Sequence, residues 1–75
     1  MSGVTNYENL ANAIILQAVR DYRTTLKCLK NNPWNYDADC RKNEIEHFFR
    51  SQLFTVLTSV DGEMLIRSLR KEVDA

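Results

Sequence analysis

The chain has little of what breaks or staples a polypeptide. Its 75 residues include two Gly, one Pro and two Cys. A fold of many short strands would need a turn residue at each reversal, and so few exclude it. Two cysteines cannot form the disulfide framework of a small secreted domain, so Cys28 and Cys40 are expected to be reduced thiols. Net charge is zero, with ten Lys and Arg against ten Asp and Glu. That argues against a protein built mainly to neutralise DNA phosphates, and equally against an acidic mimic of DNA, unless the charges are segregated. No segment approaches the ~20 apolar residues of a membrane span. Residues 1–9 carry no basic group, and the apolar run Ala13–Leu16 is too short for a secretory signal. Gly3 is not at the myristoylation position. The expected location is cytoplasmic.

What is present reads as one globular domain over residues 1–75. Hydrophobic residues make up 44% and charged residues 27%, values that suit a packed protein and not a disordered one. A chain this short is close to the lower limit for folding alone, because ordering costs about 1.5 kcal/mol per residue and apolar burial barely offsets it. Self-association into a homo-oligomer is one usual supplement.

The apolar period is helical throughout, which predicts an all-α fold: one long N-terminal helix packed on two or three shorter ones. In the first helix, residues 6–30, Leu10, Ala11, Ile14, Ile15, Ala18, Val19, Tyr22, Leu26 and Leu29 fill one broad arc at 100° per residue. Thr5 and Glu8 fit a capping box at its start. Asn32 and Pro33 stop it, since a residue before Pro avoids the helical region. A second helix, 36–50, has Asn35 as N-cap, Asp37 and Asp39 in its first turns, and Ala38, Ile45, Phe48 and Phe49 on one face. Continued unbroken, it would point Phe54 and Leu57 away from that face. Ser51 therefore reads as a new N-cap, starting a short third helix at 52–58. Asp61 caps a fourth at 62–73, with Leu65, Ile66, Leu69 and Val73 as its buried stripe and Arg67, Arg70 and Lys71 opposite.

Nothing in the sequence points to catalysis. His47 is the only histidine and sits at the edge of an apolar stripe; it could act as a base beside a cysteine, but it fits an ordinary surface position better. Phosphate-binding Gly loops, nucleophile elbows and dinucleotide fingerprints are all missing, so no enzyme and no cofactor is expected. Cys28, Cys40 and His47 lack the closely spaced ligand pairs of zinc modules, so no metal is expected either.

Two surface features stand out. Arg20, Arg23, Lys27 and Lys30 project within ~80° of one another, with the apolar Leu16 in the same sector. They form either a strip for phosphates or an acidic protein surface, or a solvated face whose cations favour the helix C-terminus. Trp34 and Tyr36, in the one clear loop, either cap the bundle or anchor a partner. A helix-turn-helix reading of residues 44–71 fails on charge. Its recognition helix would open with Asp61 and Glu63, which repel phosphates.

Three segments resemble a known group of proteins: Ala18-Val19-Arg20-Asp21-Tyr22-Arg23, Ile45-Glu46-His47-Phe48-Phe49-Arg50-Ser51 and Leu57-Thr58-Ser59-Val60-Asp61-Gly62-Glu63. They are similar to short proteins encoded by prophages and mobile elements of Gram-positive bacteria. That group often has an aromatic two positions after Ser51, where this chain has Leu53. The resemblance implies a setting in a bacterial host, in which very small accessory proteins bind and block a larger host protein. Anti-CRISPR proteins are the best-known example. The expectation is a non-catalytic inhibitor or adaptor of a host protein, a defence nuclease for instance, contacting it through Leu16, Arg20, Arg23, Lys27, Lys30, Trp34 and Tyr36. The alternatives are a nucleic-acid-binding regulator using the four cations, and a self-associating assembly protein. A regulator of that kind would lose DNA affinity steeply as salt rises, and absence of duplex binding at low salt would remove it.

Overall fold

A computed structural model of the protein describes the backbone of residues 3–74 and the side chains of residues 8–74. Capping side chains decide where the chain turns. Asn35 Oδ1 accepts a hydrogen bond from the Ala38 N–H at 3.0 Å and opens α2, Tyr36–Phe49. Ser51 Oγ accepts from the Phe54 N–H at 3.3 Å, donates to the Phe48 carbonyl at 2.6 Å, and opens α3, Gln52–Leu57. Asp61 Oδ1 accepts from the Glu63 N–H at 3.0 Å and opens α4, Gly62–Asp74. All three are the caps expected from the sequence, and each satisfies an orphan donor of a helix end.

The first helix, α1, runs Gly3–Asn31 and so begins before Thr5. The Thr5 side chain lies outside the described residues, and with it the expected capping box. α2, α3 and α4 start where expected, and the C-terminal ends of all four helices differ from expectation by one residue, as fraying ends commonly do.

α2 packs antiparallel to α1. Ile14 and Ala18 of α1 meet Ile45 and Phe48 of α2, while Leu26 and Leu29 lie beside Asp39 and Lys42. α4 runs in the same direction as α1, with Arg70 at Tyr22 and Val73 at Lys30. α3 is the corner between α2 and α4. The core is Val19, Tyr22, Phe49, Phe54, Ile66 and Leu69, flanked by half-buried Ile15, Ala18, Leu26, Ile45, Phe48 and Leu65. Its centre is aromatic. The Phe49 ring lies 5.6 Å from Tyr22 at 88° and 5.5 Å from Phe54 at 73°, the edge-to-face contact that aromatic quadrupoles favour. The break at Ser51 is what turns Phe54 inward.

Two residues expected in the core are not there. Leu10 is 60% and Ile14 42% exposed. The reason is their side of α1. Ala11, in the same turn, is buried, but at 100° per residue Leu10 and Ile14 lie ~60–120° away from Ala11, Tyr22 and Leu29, at the edge of the arc that α2 and α4 cover. The molecule measures 47 × 22 × 20 Å.

At the C-terminal end of α2, the first residue of α4 meets its last turn. A Cβ built on Gly62 would lie 2.0 Å from the Phe49 carbonyl oxygen, so only glycine lets the two backbones approach this closely. Gly62→Ala is expected to lower stability by about 1–3 kcal/mol, the range for overpacking, read by urea unfolding followed by circular dichroism. An unchanged midpoint would mean that α2 and α4 do not meet there.

Candidate functional site

The most organised polar arrangement is buried at the junction of α1, α2 and α4. On α2, Ala38, Lys42, Ile45, Glu46 and Phe49 fall in one arc at 100° per residue, so the carboxylate of Glu46 enters the core with its apolar neighbours. Glu46 is buried and needs partners there. Tyr22 Oη donates to Glu46 Oε2 at 2.5 Å, and Arg70 Nη2 donates to the same oxygen at 2.5 Å. Arg70 Nε also donates to Tyr22 Oη at 3.2 Å. Arg50 Nη1 lies 3.6 Å from Glu46 Oε1, and the Arg50 Nε donates to Glu63 at the start of α4.

These contacts fix the protonation states. Burial alone would raise the Glu46 pKa, but the hydrogen bonds from Tyr22 and Arg70 outweigh it and hold the carboxyl below its usual range. Tyr22 is pushed up to about 12, first by burial and then by its hydrogen bond to the Glu46 carboxylate. Through the neutral range the carboxylate is therefore charged and the phenol protonated, each state supporting the other. The cluster joins three helices and opens onto solvent through Arg70 and Arg50, whose side chains are each about half exposed.

Sequence reasoning did not find this cluster. It placed Arg70 on the outer face of α4 with Arg67 and Lys71. Arg70 instead lies ~40° beyond Ile66 at the edge of the buried stripe, within reach of Glu46. The available signal was Glu46 itself, a carboxylate inside the apolar arc of α2.

The structure divides the basic stripe. Arg23 donates from Nε and Nη2 to Glu72 at 2.6 and 3.2 Å. Lys30 Nζ donates to the Val73 carbonyl at 2.9 Å, where the C-terminal end of α4 favours a cation. These two hold α4 to α1. Arg20 and Lys27 are exposed and make no ion pair among the described residues, and Leu16 is exposed beside them. Asp61 and Glu63 occupy the N-terminus of α4 as cap and as the partner of Arg50.

Trp34 and Tyr36 do not cap the bundle. They are 91% and 76% exposed. Their loop is nonetheless ordered: Asn32 Oδ1 accepts from the Trp34 N–H at 3.2 Å and the Asn32 carbonyl from the Asn35 N–H at 3.1 Å. Cys28 is exposed, with Asn35 Nδ2 3.6 Å from its sulfur, Cys40 is half-buried and His47 exposed. Among the described residues no three His, Cys, Asp or Glu side chains converge as metal ligands would, and no helix is long and apolar enough to cross a membrane.

Comparison with protein-family models, with curated proteins and with solved structures finds no match to this chain.

The cluster makes stability depend on pH at both ends. Glu46 has a lowered folded pKa, so its contribution is present above the unfolded value and is lost as pH falls through the folded one. Tyr22 has a raised folded pKa, so its contribution is complete below pH 10 and is lost as pH rises from 10 to about 12. The alkaline loss is worth roughly 2–3 kcal/mol. Urea unfolding at a series of pH values should show it in the natural protein and a much flatter profile in Tyr22→Phe. Identical alkaline slopes would contradict the assignment.

Proposed function

We propose that the chain is a non-catalytic protein-binding module, an inhibitor or adaptor that acts by holding a larger protein. The setting implied by the resemblance to prophage and mobile-element proteins makes a host defence nuclease the target class. The observation that carries the reading is Trp34, the only tryptophan, 91% exposed on an ordered loop beside Tyr36. Apolar area left in water is an unfavourable state that a partner relieves. Trp and Tyr are over-represented among the few residues that dominate interface energetics. Each has only two side-chain torsions to fix, so anchoring through them loses little conformational entropy. Leu16, Arg20 and Lys27 form a second exposed strip. With Arg23 and Lys30 drawn to α4, two cations of the original four remain, which weakens the case for phosphate binding.

A second reading, self-association, is favoured by the corner of the bundle. From Ser51 to Val60 the chain carries no charged residue. Leu53, Val56 and Val60 are each more than half exposed there, as is Met64 just beyond. A surface of this composition puts no like charges opposite one another when it meets its own copy.

The test of the main reading uses the natural chain and the double variant Trp34→Ala, Tyr36→Ala. Both residues bury almost nothing, so the variant should keep its circular dichroism and unfolding midpoint. Partner capture from a host lysate should fall at least 30-fold, the effect of losing about 2 kcal/mol at a hot spot. The Trp34 emission of the natural chain should shift to the blue on adding the captured partner. Equal capture by the variant, or emission that does not move, would place the contact elsewhere.

A further inference from the structure

We infer that the groove between α1 and α2 docks an amphipathic helix whose apolar stripe is flanked by Lys or Arg. This deepens the protein-binding reading and rests on it, but uses a surface separate from the Trp34 loop.

The groove has a volume of ≈ 300 Å³. Its floor is apolar, made by Ile14 and Ala18 of α1 and by Ile45 and Phe48 of α2; its rim is Gln17, Asp21 and Glu44. Leu10 stands one turn before Ile14 and is more exposed still. Leu10, Ile14, Gln17 and Asp21 are spaced four, three and four, so they share one face of α1. That face runs ~16 Å, about three helical turns, and its first part continues past the end of α2. The edge position that keeps Leu10 and Ile14 out of the core thus leaves an open apolar track, where most exposed apolar residues of a small protein stand singly.

Charge identifies the occupant. Among the described residues, two carboxylates and no cation line the groove. Among them too, Asp21 Oδ1 accepts only from the neutral Gln17 amide, at 3.0 Å. Among the described residues Glu44 has no ion pair, and Arg41, one turn away on α2, pairs with neither carboxylate. A partner that covers the floor must bring these carboxylates into a drier environment, where an opposite charge is needed to compensate. An extended peptide would lay unsatisfied backbone groups on the apolar floor, because both walls are helices with their own hydrogen bonds already made. A helix brings its backbone satisfied and offers apolar anchors at i, i+3 or i+4, and i+7.

The probe is an 18-residue alanine-based peptide with leucines at that spacing and lysines flanking them, compared with a twin whose lysines are glutamates. Each is titrated into the isotope-labelled full-length protein and followed by NMR. The lysine peptide should shift the resonances of Ile14, Ala18, Ile45 and Phe48 and bind at least tenfold tighter than its twin at low salt, the gap narrowing as salt rises. Asp21→Lys with Glu44→Lys, both exposed positions, should reverse the preference. The Trp34→Ala, Tyr36→Ala variant should bind the peptide as the natural chain does, so failure of the loop reading leaves this result intact. Equal binding of the twins, shifts confined to another surface, or no shift at millimolar peptide would overturn the inference. So would peptide-free shifts of the groove residues that depend on protein concentration, since these would show a second copy as the occupant.

Discussion

One carboxylate oxygen, Glu46 Oε2, accepts hydrogen bonds from Tyr22 on α1 and Arg70 on α4, and the arrangement of the three longer helices depends on it. Apolar packing attracts helices without fixing how far one slides along another, whereas a buried carboxylate must be met by donors at fixed places. Removing either donor would leave part of a charge uncompensated in the core, so slippage of α4 along α1 is penalised. Arg23 with Glu72, and Lys30 with the Val73 carbonyl, repeat the same register further along. These outer contacts are exposed and individually weak; they support a placement that the buried group has already selected.

The second constraint is the width of the apolar arc of α1. Its centre is buried along the helix, at Ala11, Val19, Tyr22 and Thr25. Leu10 and Ile14 lie at the edge of the arc, and their side chains stay largely in water. A single amphipathic helix thus supplies both the spine of the fold and an apolar track at its edge. The exposed Trp34 and Tyr36 arise differently. Asn32 and Asn35 use their polar groups to close the loop and cap α2, and neither action draws the aromatics inward.

Much of this was legible in the chain because it is local. The helical period, the stop at Asn32 and Pro33, and the caps Asn35, Ser51 and Asp61 each depend on residues within four positions of one another. The inward turn of Phe54 followed from Ser51 alone. What could not be read is what depends on distance along the chain. Tyr22 and Glu46 are separated by 24 residues and Tyr22 and Arg70 by 48, so no local pattern couples them. The same holds for Arg23 with Glu72, which turned part of an expected contact strip into an internal fastening. The arc of α1 predicted burial for Leu10 and Ile14 because periodicity reports which face of a helix is apolar, but not how wide a part of that face its neighbours cover. Trp34 and Tyr36 were left between two roles by the sequence, and their exposure removes one of them, capping the bundle.

Glu46 and Arg70 act as one unit in placing α4, and a double-mutant cycle measures this directly. Glu46→Gln, Arg70→Gln and the double variant would be unfolded in urea at pH 7. A coupling energy of about 1–3 kcal/mol is expected between the two positions, since they share a buried hydrogen-bonded contact. Effects that add to within about 0.5 kcal/mol would contradict it, and would leave apolar packing alone to set the register of the bundle.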